Sequence, residues 1–155
     1  MGLALSILGA AIAAGLAGIG SARGINIASR VGTGVLSEDP AKFGSTFLLV
    51  VLPSTQGFYG FVIALFILLK IGVFGELVPL TLTHGLHIFF ASLPVGVVGL
   101  LSAIYQGQVS AAGIELVAKR PTELMKGVIY AVMVETYAVL AFLVSFLMIF
   151  LGVKV

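Results

Sequence analysis

Cysteine and tryptophan are absent from this 155-residue chain, and charge is scarce. Without Cys there is no disulfide and no thiolate ligand for a transition metal, and the redox compartment goes unmarked. Without Trp, an aromatic belt at a membrane interface must be built from the 11 Phe and 4 Tyr. The 8 basic and 6 acidic residues make up 9% of the chain, too little to coat a water-soluble domain of this size. A net charge of +2 with no basic run argues against nucleic acid as a partner. No Gly-x-x-x-x-Gly-Lys-Ser/Thr pattern is present, so no site for nucleotide hydrolysis is expected, and the chain is not read as an enzyme by itself. What fills the chain is apolar: 60% of residues are hydrophobic and the mean hydropathy is +1.24.

Apolar runs of about 20 residues cross a bilayer as helices, the one open structure that bonds all its own backbone groups in lipid. Four such runs are expected: Gly2 to about Ala28, Lys42 to Val73, Leu80 to Ala118, and Pro121 to about Val153. The fold class is therefore all-α membrane, four transmembrane helices in two hairpins, covering 1–73 and 80–155. Turn residues separate them: Ser37-Glu38-Asp39-Pro40, Gly72 to Pro79, and Lys119-Arg120-Pro121-Thr122-Glu123. Arg23, Arg30 and Lys42 flank the first loop, and Lys119, Arg120 and Lys126 the third. The positive-inside rule then puts the loops near 30–42 and 119–123 in the cytoplasm and both termini outside. Met1-Gly2 opens a myristoylation-like pattern, but a membrane span follows at once and makes an anchor redundant. No basic residue precedes the first apolar run, so a signal peptide is not expected. Gly18-Ile19-Gly20-Ser21-Ala22-Arg23 follows no strand and is no dinucleotide loop.

The two halves look duplicated. Ser21-Ala22-Arg23-Gly24-Ile25 recurs as Ser110-Ala111-Ala112-Gly113-Ile114, four of five identical. Both copies sit at the cytoplasmic end of the first helix of a hairpin, so the repeat is parallel, unlike the inverted repeats of many transporters. Gly9, Ala13, Ala17, Gly20 and Gly24 form a small-residue stripe on the first helix, suited to close backbone approach in a bundle or a ring.

Glu135 lies 14 residues after Pro121, near the middle of its span. An ionised carboxylate there costs about 2.5–3.5 kcal/mol or more, so it is the first candidate for a working group. Gln106 lies 13 residues before Lys119, and Thr55 and Gln56 lie 15 and 16 after Pro40. At about 1.5 Å per residue, all share its depth. Leu52, Thr55, Gln56 and Tyr59 share one helical face. Pro53 lies among them and frees the carbonyl four residues back, at Leu49; engaging the Leu52 carbonyl needs a further distortion. A carboxylate, two amides, a hydroxyl and a carbonyl are hard oxygen ligands, suited to an alkali cation or a proton. His84 and His87 are read as interfacial or packing residues, having no ligand-spaced partners.

Leu52-Pro53-Ser54-Thr55-Gln56-Gly57-Phe58-Tyr59-Gly60, Gln106-Gly107-Gln108-Val109-Ser110-Ala111-Ala112-Gly113 and Val134-Glu135-Thr136-Tyr137-Ala138 together resemble the duplicated proteolipid of the rotor ring (the K or c type) in V/A-type ATPases. The likeness covers nearly the whole chain and is greatest for the bacterial sodium-pumping branch. It implies a rotor ring of identical copies in the cell membrane, turning past a stator subunit that bears an Arg, surrounded by lipid and held by a central stalk at the cytoplasmic loops. It implies that Glu135 carries Na+, with Thr55, Gln56, Gln106 and the Leu52 carbonyl completing the site and Tyr59 hydrogen-bonding the carboxylate. The rival readings are a proton-carrying ring, a small secondary transporter working through Glu135, and a purely structural four-helix scaffold.

Overall fold

A computed structural model describes residues 1–152, and within them the chain forms four long helices and no strand. They are α1 (Gly2–Glu38), α2 (Pro40–Lys70), α3 (Leu82–Lys119) and α4 (Pro121–Gly152), and all four are long and apolar enough to cross a membrane. The expected end of the last span at Val153 lies outside the described residues, as does Lys154.

Two helix ends depart clearly from expectation, those of α1 and α2. α1 continues through Ala28 to Glu38 without interruption, which reduces the first connection to Asp39. Nothing between Ala28 and Pro40 breaks a helix: Gly32 is tolerated because it packs beside Thr46, Val50 and Ile114. The first stop is Pro40, which disfavours helical geometry at the residue before it. Asp39 then turns from terminator to cap, its Oδ1 accepting from the Ala41 N–H at 3.1 Å. Lys42 closes this end by donating from Nζ to the Ala118 carbonyl at 2.8 Å, which ties the first loop to the last turn of α3. At the opposite end α2 stops at Lys70, three residues short of the expected Val73. Gly72 has φ +76°, and its N–H and that of Val73 return to Leu69 and Leu68. This is a Schellman stop, which needs a residue free to enter the left-handed region.

The centre of the fold is the pair α1 and α3, which make the most extensive contact in the molecule. Gly2 packs on Gly85 at one end and Gly24 on Gly107 further along, so the two helices run in the same direction. The small-residue stripe on α1 is buried along its length against this neighbour. It serves here as an interface within the chain. α2 returns along α1, with Gly60 against Ala13 and Ala17, and α4 returns along α3, with Gly127 against Gly113. Each hairpin therefore contributes one thin helix to the centre and one bulky helix to the flank. The flanking helices leave Phe58, Phe61, Tyr130, Met133, Tyr137 and Leu140 exposed. An apolar exterior of this kind suits lipid or further protein, not water.

Two apolar clusters fill the interior. One includes Ile63, Ile67, Ile71, Ile88, Val95 and Ile149; the other gathers Ala28, Leu49, Ile114 and Val117. The polar side chains of the middle turns lie between these clusters. Pro53 and Pro94, the two prolines inside the spans, are each stitched by a serine from an adjoining helix. Ser21 Oγ accepts from the Gly57 N–H at 2.8 Å and donates to the Ser54 carbonyl at 3.3 Å, beside Pro53. Ser145 Oγ accepts from the Val95 N–H at 3.1 Å, beside Pro94.

A methyl group at Gly24 would meet the Ala103 carbonyl and the Pro53 ring, whereas one at Gly34 would meet nothing within 4 Å. Gly24→Ala is expected to destabilise the protein by about 1–3 kcal/mol, the usual cost of overpacking. Gly34→Ala is expected to leave it unchanged or slightly firmer, since Ala favours helix over Gly. Thermal unfolding in detergent measures both.

Candidate ion-binding site

Pro53 supplies the first element of the site. A regular helix would bond the Leu52 carbonyl to the Gln56 N–H. Here the chain tightens into a 3₁₀ turn over Leu52–Ser54, and the Leu52 carbonyl accepts instead from the Thr55 N–H. The distortion that the sequence alone does not supply is this turn. The Thr55 hydroxyl also donates to the Leu52 carbonyl at 3.1 Å and approaches Gln56 Oε1 at 3.3 Å. Three of the anticipated oxygens are thus gathered within one turn of α2.

α3 and α4 bring the rest. Gln56 Nε2 donates to Gln106 Oε1 at 2.6 Å, across the gap between α2 and α3. Gln106 Nε2 donates to Glu135 Oε2 at 3.1 Å, crossing from α3 to α4. Tyr59 closes the circle from α2, its hydroxyl donating to Glu135 Oε1 at 2.6 Å. All six residues singled out from the sequence stand in one continuous hydrogen-bonded chain that links three helices. Gln56 and Gln106 are fully buried, while Glu135, Tyr59, Thr55 and Leu52 are half-buried. The carboxylate therefore lies at the flank of the four-helix unit, with its supporting amides inside.

The chemistry of the arrangement follows from what each atom can do. Both carboxylate oxygens receive one neutral donor, which stabilises a charge without neutralising it. Among the described residues no Lys, Arg or His pairs with Glu135, and the salt bridges are confined to Lys42–Asp39 and Lys126–Glu123 near the loops. A carboxylate held this way retains one uncompensated negative charge, which a single monovalent cation or proton would cancel. Among the described residues there is no group of three or more His, Asp and Glu that could hold a metal ion. The oxygens linked to Glu135 through this network come from amides, a hydroxyl and a backbone carbonyl, a set that favours hard cations.

His84 is elsewhere: its backbone N–H is capped by Thr81 Oγ1 at 3.2 Å at the start of α3, far in sequence from the polar layer. Its Nδ1 is buried without a hydrogen-bond partner, as is Ser110 Oγ. One member of the network is absent from the sequence reading. Ser102 Oγ accepts from Gln56 Nε2 at 3.3 Å and donates to the Val134 carbonyl at 3.1 Å. The signal for it is present, since Ser102 lies one helical turn from Gln106 on the same face of α3.

Comparison with known proteins bears on the duplicated fold. The family of the ATP synthase C subunit matches twice, over residues 8–67 and 89–148. The two matches fall on the two hairpins, as a duplicated unit requires. The chain is 43% identical over 148 residues to the V-type sodium ATPase subunit K of Enterococcus hirae, covering 96% of this chain and 92% of that one. It is 39% identical over 146 residues to the A-type ATP synthase subunit K of Methanocaldococcus jannaschii, covering 94% of this chain and 62% of that longer one. A four-helix multi-pass membrane protein with two copies of the matching unit, this chain belongs to the ATP synthase C-subunit family.

Proposed function

We propose that the chain is the ion-carrying rotor-ring subunit of a V-type sodium ATPase, and that each copy carries one Na+ on Glu135. The observation that carries this reading is a carboxylate at mid-helix held by neutral donors and joined, through Gln106, to a network holding oxygens of Gln56, Thr55 and the Leu52 carbonyl. Its similarity to the E. hirae sodium ATPase subunit K supports sodium as the cargo. A proton needs one carboxyl group and little else. Stripping water from sodium calls for several replacement oxygens, and the network that reaches Glu135 offers them from Gln106, Gln56, Thr55 and Leu52.

In the proposed cycle, the ion-free carboxylate is held by the Tyr59 hydroxyl and the Gln106 amide. Sodium arrives from an aqueous half-channel in a stator subunit and binds among Glu135, Gln106, Gln56, Thr55 and the Leu52 carbonyl. The pair is then neutral, and the cost of moving a bare carboxylate through hydrocarbon is removed. Rotation carries it past lipid until an Arg of the stator lowers the site's affinity for the cation and releases it. Nucleotide hydrolysis belongs to another subunit, and this chain contributes ion binding alone. The ring is built of identical copies, the exposed apolar faces of α2 and α4 meeting lipid or neighbours. Residues 1–73 and 80–155 act as two repeats of one membrane domain. The basic residues around the 30–42 and 119–123 loops support a cytoplasmic position for both, where a central stalk would attach, with the termini outside.

Glu135→Gln is expected to abolish sodium transport by the assembled ATPase while the ring still forms, as judged by native mass. A carbodiimide is expected to label Glu135, with protection by sodium at constant pH; protection that follows pH alone would assign the site to protons. Gln106→Ala is expected to weaken sodium affinity about tenfold, because it removes both a ligand oxygen and the donor to the carboxylate. Sodium titration of the labelling rate measures that change.

A further inference from the structure

We infer that Ser102 is a positioning residue that fixes which way the Gln56 side-chain amide faces. This rests on the reading of the site as a cation carrier. A Gln amide has two N–H donors at one end and an acceptor oxygen at the other, and both ends have nearly the same shape. In a sodium site the difference is decisive, since an inward-facing NH₂ would repel the ion. Something must therefore hold the NH₂ end away from it.

Gln56 is fully buried, so water does not do this. Its Nε2 has two partners, Gln106 Oε1 at 2.6 Å and Ser102 Oγ at 3.3 Å. Both N–H groups are thereby engaged on the α3 side. The oxygen is left facing back to α2, within 3.3 Å of the Thr55 hydroxyl. Ser102 presents a lone pair to Gln56 because its proton is turned the other way, to the Val134 carbonyl at 3.1 Å. That second bond ends on the residue before Glu135. Ser102 thus joins α2, α3 and α4 at the level of the carboxylate without touching it.

Removing the hydroxyl would leave one Gln56 N–H buried and unpaired, which favours rotation of the amide or its withdrawal from the layer. It would also release the Val134 carbonyl. Threonine keeps an oxygen at the same position and can restore both bonds. Serine elsewhere on α3 does not have this role: Ser92 is buried too, but its hydroxyl donates to the Phe89 carbonyl of its own helix.

The test uses the intact purified ATPase, with carbodiimide labelling of Glu135 titrated by sodium at fixed pH and by pH in the absence of sodium. Ser102→Ala is expected to raise the half-protecting sodium concentration about tenfold, and Ser102→Thr to bring it back. Ser92→Ala is expected to leave it unchanged, and the sodium-free pH profile is expected to stay the same in all three. An unchanged sodium midpoint in Ser102→Ala, or an equal shift in Ser92→Ala, overturns the assignment. So does a displaced sodium-free pH profile in Ser102→Ala, which would mean that the hydroxyl acts on the carboxylate and not on Gln56. If the unaltered protein shows no sodium protection, the cation-carrier reading itself fails, and the role of Ser102 fails with it for that separate and visible reason.

Discussion

A carboxylate in the middle of an apolar slab is the constraint on which the rest of this molecule depends. Its desolvation is expensive, and among the described residues no basic side chain pairs with it to offset the charge. The protein meets the cost with dipoles: a phenol on one oxygen and an amide on the other. A permanent ion pair would offset the charge more fully in the resting state, but it would close the site to any other cation. Neutral donors leave the charge available, which is what a reversible carrier requires.

That arrangement is possible only because the helices around it are held at short range. Gly24, Gly107 and their neighbours let α1 and α3 meet backbone to backbone, so that α2 and α4 converge on the same stretch of the central pair. Pro53 then breaks the monotony of α2 at the required depth, and Ser21 on α1 satisfies backbone groups next to the break. The packing between small residues and the polar chemistry of the site are in this sense one design. A helix pair spaced by leucines would put Gln106 too far from both Gln56 and Glu135 for a continuous network.

Much of this is legible in the amino-acid order. Hydropathy alone separates the four spans, and counting from Pro40, Lys119 and Pro121 brings Gln56, Gln106 and Glu135 to one depth. The duplicated Ser-Ala-x-Gly-Ile segments indicate parallel halves, and α1 and α3 do run in the same direction. Other features are not legible, for identifiable reasons. Hydropathy ends the first span near Ala28, yet α1 runs to Glu38, since polar composition marks where a helix leaves lipid and not where it stops. The engagement of the Leu52 carbonyl by Thr55 does not follow from the standard effect of proline, which acts four residues back. It follows from a 3₁₀ tightening, next to which Ser21 bonds the Gly57 N–H and the Ser54 carbonyl. Ser102 is inconspicuous in the sequence because serine in a membrane helix ordinarily bonds its own backbone, as Ser92 does. Only the cross-helix partners set it apart.

In the proposed function, one half-buried acid per chain binds one monovalent cation among neutral oxygens. Equilibrium binding of radioactive sodium to the purified ring tests it most directly. The expected result is a single saturable ion per polypeptide, displaced by protons as the pH falls. Failure to bind at any sodium concentration, or a second ion on each chain of equal affinity, would contradict it.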